Sequence, residues 1–110
     1  MDIEHLLNRY RQLVEPYARA RSERTYIEEY KKSLHAMLMK KAGMNGATSA
    51  AAQEREAYAD PEYLKQLEAL KVAVEEEEKY RYHIKQTEME IEVWRSQQAN
   101  ERFERKSYGM

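Results

Sequence analysis

The stretch "KKAGMNGATS", residues 40–49, decides how this chain folds. It holds two of the three glycines in 110 residues, and its GMNGATS portion is the one convincing loop. Gly43 suits the position after a helix C-cap, where a positive φ is cheap only without a Cβ. Thr48 or Ser49 can then cap a short helix through AAAQEREAYA, residues 50–59.

Upstream of the loop, Asp2 suits the N-cap of a first helix. Ile3, Leu6, Tyr10, Leu13, Tyr17, Ala20, Arg24, Ile27, Lys31, Leu34, Leu38 and Lys41 follow at alternating steps of three and four. Such heptad spacing keeps one stripe against a neighbouring helix. Pro16 lies inside the run and is expected to kink or restart the helix, because it cannot donate to the carbonyl four residues back. Arg24 and Lys31 put charge on the seam, and Tyr26, Tyr30 and Met37 form a second stripe beside it.

Downstream, Asp60, Pro61 and Glu62 read as N-cap, first position and first turn of a new helix. The alternative is one continuous helix that Pro61 merely bends. Tyr63, Leu67, Leu70, Val74, then Tyr80, Ile84, Thr87, Ile91, Trp94 and Gln98 mark a second seam. The run Glu75–Glu78 interrupts it and reads as a solvated turn. The expected organisation is a basic N-terminal helix over 1–42, a glycine loop and short helix over 43–60, a long helix over 61–106 and a frayed tail at 107–110.

The fold class is therefore all-α: an antiparallel hairpin of two long helices with a short linking helix. Two helices leave much of each apolar stripe uncovered, so oligomerisation through coiled-coil-like seams is expected. Tyr82, Ile84, Met89, Ile91, Val93 and Trp94 are the expected oligomer contacts. Periodicity alone leaves open whether helices pair within one chain or between chains.

Composition agrees with long helices, being 42% hydrophobic and 35% charged with Pro 2. The formal net charge of -1 hides an asymmetry. Residues 1–48 carry nine Lys/Arg against six Asp/Glu, or +3, and residues 49–110 carry ten against fourteen, or -4. With Cys 0, disulfides and thiolate metal sites are excluded. No apolar run approaches the ~18–20 residues needed to cross a bilayer. MDIEHLLNRYRQL has no basic lead before an apolar core, so a cytoplasmic protein without a signal peptide is expected.

Catalysis is not expected. His5, His35 and His83 stand in no metal-ligand spacing. The serines lack nucleophile-elbow glycines. GMNG is not followed by the Lys-Ser/Thr of a phosphate loop. No metal and no cofactor are implied.

The basic segment 17–41, with seven Lys/Arg against three Glu, is the strongest functional signal. Arg24, Lys31, Lys32, His35, Lys40 and Lys41, interleaved with Tyr26 and Tyr30, are the candidate nucleic-acid contacts. Lysines beside aromatics suit a groove that tracks phosphates and stacks bases without reading sequence. The competing account is a solvated helix back, with Lys40 and Lys41 placed to favour the negative pole of the helix dipole.

The layout resembles the small single-strand-DNA recombination mediators of tailed phages (UvsY-like). LMKKAGMNG, REAYADPEYLKQLEALKVAV and EVWRSQQANER carry the likeness. It implies a ring-like homo-oligomer on single-stranded DNA that helps load a RecA-type recombinase onto strands coated by a single-strand-binding protein, in a bacterial host cell. Lys40 and Lys41 match the basic helix end of such proteins. Lys31, Lys32 and Arg24 come from seam geometry, and the acidic second half departs from a wholly DNA-wrapping chain. The rival reading is a helical protein-interaction module, such as an assembly or scaffold component or a small inhibitor of a host complex, with no nucleic-acid binding.

Overall fold

The computed structural model describes residues 2–108. Three helices follow in order: α1 (Ile3–Met44), α2 (Ala50–Ala59) and α3 (Pro61–Tyr108). The chain divides into two compact units, Met1–Ala18 with Glu78–Met110, and Arg19–Glu77. The first is called the terminal unit and the second the loop unit.

Each boundary between helices has a local cause. Asp2 caps α1, its Oδ1 accepting from the Glu4 N–H at 3.0 Å. Ser49 caps α2 through the Ala52 N–H at 3.1 Å. Asp60 is extended, at φ -67 and ψ 134, and accepts from the Glu62 N–H at 2.9 Å. α2 and α3 are thus separate helices, and Pro61 opens the second where its missing N–H costs nothing. Met1, Gly109 and Met110 lie outside the described residues; Ser107 and Tyr108, assigned to the expected tail, are helical.

Three expectations need correcting. Gly43 is not the C-capping glycine but a helical residue of α1. The positive φ falls on Gly46, at 109°. Ala47 N–H bonds Ala42 C=O at 3.0 Å and Gly46 N–H bonds Gly43 C=O at 3.3 Å. That pair is a Schellman motif. Gly43 serves a close approach instead, since a Cβ there would meet Gln53 Nε2 at 3.0 Å. Pro16 does not restart the helix; α1 is helical through it.

The third correction concerns the run Glu75–Glu78, which is helix rather than a turn. Glu77 is buried, and its carboxylate takes the Arg24 guanidinium at 2.6 and 3.2 Å. This pairing explains why α3 presents a different face from the one the sequence suggests. Ala73 and Glu77 are buried, while Leu67 and Val74 stay 38% and 39% exposed. Leaving two aliphatic side chains partly wet forfeits about 1 kcal/mol each. Burying a guanidinium without an acceptor costs more.

In the loop unit, Leu34, Leu38, Ala57 and Tyr63 form the core with Met39 against it. Pairings 24–77 and 41–60 run in opposite senses along α1 and α3, as an antiparallel hairpin requires. Among the described residues of the terminal unit, Leu6 and Thr87 are buried. Arg9 of α1 there bonds Thr87 and forms an ion pair with Glu90 of α3.

Candidate functional site

The candidate cations do not converge on one open patch. Arg24 is spent on Glu77 and on Glu28 at 2.6 Å. Those hydrogen bonds, Glu77 first, raise its pKa, so it is a permanent cation with its charge already matched. Arg24 thus ties α1 to α3 within the loop unit. Lys32 Nζ is exposed and bonds Glu29 at 3.1 and 3.3 Å. Lys41 Nζ reaches Asp60 Oδ2 at 3.3 Å across the hairpin end. Among the described residues, half-buried Lys31 and exposed Lys40 take part in no ion pair.

His35 turns inward. Its ring lies 4.4 Å from Tyr58 and 5.9 Å from Tyr63, and its buried Nε2 has no hydrogen-bond partner. It belongs to an aromatic cluster that clamps α2 and α3 onto α1.

Charge beside the loop is mixed. An open groove of about 450 Å³ is lined by Leu38, Lys41, Ala42, Asn45, Glu56 and Asp60 among others. An entering phosphate would meet two carboxylates for one amine, which weakens any anion site there. Asp60 itself titrates below the ordinary carboxylate range, first because of the Glu62 N–H and then because of Lys41.

Tyr26 and Tyr30 remain outside. Their ring centroids lie 6.3 Å apart with planes 6° from parallel, and Tyr26 is 66% exposed. Lys65, not singled out by periodicity, lines a shallow groove with Tyr30, Glu62 and Gln66. Only the hairpin places Lys65 there, since it is 35 positions away in sequence from Tyr30.

The expected oligomer contacts divide by face. Ile84, Ile91 and Trp94 are half-buried on the side of α3 that carries Thr87 toward α1. Tyr82, Met89 and Val93 are exposed. Further exposed apolar side chains include Val14, Met37, Leu64, Val72 and Phe103. Among the described residues there is no group of three or more His, Cys, Asp or Glu suited to a metal ion. No described helix is long and apolar enough to cross a membrane.

With this geometry the chain belongs to the all-α class of helical hairpins, and its function has to be read from its surfaces. No family model, curated protein or solved structure matches it.

Proposed function

We propose that this chain is a non-enzymatic helical interaction module, which presents exposed apolar helix faces to other polypeptides in an assembly. One observation carries the reading. Among the described residues, Leu6, Leu34, Leu38 and Tyr63 are the large apolar side chains that are buried, whereas fourteen large hydrophobics are exposed. Exposed apolar side chains scattered singly need no explanation, but these recur along both long helices. Within the basic segment Arg24, Lys32 and Lys41 each face a carboxylate, which supports the same reading. The test places a photoreactive benzophenone side chain at Leu67, at Val72 or at charged, exposed Lys79 in the full chain. Cross-linking to a second polypeptide in an extract of the source cells from 67 and 72, and not from 79, is expected. Equal yields from all three positions would remove the proposal.

A second reading rests on the Tyr26–Tyr30 pair. Parallel exposed rings, Tyr30 of which shares a shallow groove with Lys65, together with unpaired Lys31 and Lys40, suit non-specific binding of single-stranded DNA. A cytoplasmic location and a recombinase partner accompany that reading. Three phosphate contacts give a log–log salt slope of about -2 on single strands. Fluorescence anisotropy of a labelled oligonucleotide measures it. No binding at 50 mM salt, or binding unchanged by Tyr26→Ala with Tyr30→Ala, would end this reading.

A further inference from the structure

The second half of α3 carries two seams on opposite sides. The inner one, Ile84, Thr87, Ile91, Trp94 and Gln98, faces α1 and is buried or half-buried. The outer one follows Tyr82, Gln86, Met89, Val93, Ser96, Asn100 and Phe103 at alternating steps of four and three. Met89 and Phe103 on it are 68% and 71% exposed, and Tyr82 and Val93 are exposed as well. We infer that this outer face pairs with the same face of a second copy of the chain, parallel and in register. The inference rests on the interaction-module reading and names a partner for one of its faces.

The occupant follows from the charges that flank the stripe. With Tyr82, Met89, Ser96 and Phe103 at the d positions of a heptad, Gln86, Val93 and Asn100 take the a positions. Lys85 then precedes one a position, and Glu90 follows the next d. In a parallel in-register pair, Lys85 of each copy lies beside Glu90 of the other, giving two opposite-charge contacts by symmetry. The antiparallel pair that covers the stripe end to end instead sets Glu90 against Glu90 and Glu92 against Glu92. Like charges so placed disfavour it. Asn100 at an a position meets its own copy only in the parallel register, where a single buried Asn selects two strands.

Two features fit weak but specific pairing. Glu90 already forms an ion pair with Arg9 within its own chain, so its charge is shared. Arg81 lies over the Tyr82 ring at 4.9 Å from its centroid, and Tyr82 is still 60% exposed. α3 is a helix in this chain already, so pairing does not have to order it first. A stripe of three heptads with polar residues at 86, 96 and 100 then gives association in the micromolar range.

The chain has no cysteine, so single cysteines report the register directly. Gln86→Cys and Ser96→Cys, each alone in the full chain, are expected to form disulfide-linked homodimers about tenfold faster than Glu88→Cys, which lies off the stripe. Sedimentation of the cysteine-free chain should show a dimer of 13.2 kDa chains that Met89→Glu converts to monomer, with helicity by circular dichroism unchanged. A disulfide that forms only when the 86 and 96 variants are mixed means antiparallel pairing and overturns the proposal. A monomer at 100 µM also overturns it. If Leu67 still cross-links another polypeptide, the interaction-module reading survives that failure.

Discussion

The two units of this chain use the same pair of helices and stabilise them differently. In the loop unit a third helix closes over the pair, so Leu34, Leu38, Ala57 and Tyr63 share an apolar core. His35, Tyr58 and Tyr63 add ring contacts at 4.4 to 5.9 Å. The terminal unit has no such cover. Its fully buried position is Thr87, which donates to the His83 carbonyl at 2.9 Å and accepts from Arg9 Nε at 3.1 Å. Two helices alone enclose little volume, and polar clasps with half-wet apolar stripes replace a core.

If that contrast is right, the largest effect should come from the loop unit. Leu38→Ala, which empties a buried position, is expected to cost about 2–5 kcal/mol in denaturant unfolding. Leu67→Ala, at a partly exposed position, should cost less than about 1 kcal/mol. Similar losses at both positions would mean the core is misplaced.

Prolines sharpen the comparison in the opposite direction. Pro16 sits inside α1 in the terminal unit, so Pro16→Ala should stabilise by up to about 3 kcal/mol. Pro61 opens α3 in the loop unit, and Pro61→Ala should change stability by less than about 0.5 kcal/mol. Thermal melts of the two variants give the comparison.

Smaller effects follow at single contacts. Thr87→Val keeps the shape but strands Arg9 Nε, for an expected loss of about 1–2 kcal/mol. Gly46→Ala forces a side chain onto a φ of +109° and should cost about 1–2 kcal/mol. Gly43→Ala should be near neutral. Its helix-propensity gain of about 1 kcal/mol is offset by displacing Gln53 from the Ala47 carbonyl. Equal losses at the two glycines would contradict the assignment of the turn.

The smallest effect is set by pH. Asp60 has its folded pKa depressed, chiefly by the Glu62 N–H and secondarily by Lys41. Its contribution is therefore complete above the ordinary Asp value of about 3.9 and disappears as pH falls through the lower folded value. Melts between pH 7 and pH 2 should show Asp60→Asn losing less stability on acidification than the parent chain. The amide still caps α3, so the neutral-pH difference should be slight.

Much of the fold was legible because helix signals are local. The caps at Asp2, at Thr48 or Ser49, and at Asp60, and the heptad from Ile3 to Leu38, are all read from neighbours within a few positions. Nearly every member of that first seam is buried or half-buried. On α3 the seam was legible from Tyr80 to Gln98, where apolar residues line it, and failed at Leu67 and Val74. The failure has a definite cause: Arg24 required an acceptor, and Glu77 supplied it from 53 positions away.

The candidate site was less legible still. A run of lysines reads as cationic surface until its carboxylates are located. Asp60 beside Lys41 and Glu77 beside Arg24 are long-range partners that no periodicity reveals.

The sequence by itself determined that this chain is all-α, that two long helices flank a glycine loop, and that their apolar stripes exceed what a hairpin can cover. Only the tertiary structure decided which cations keep free charge, which glycine bends the chain, and which face of α3 is left outward. Capping and helical period depend on residues a few positions apart. Charge pairing and helix rotation depend on what the opposite helix presents.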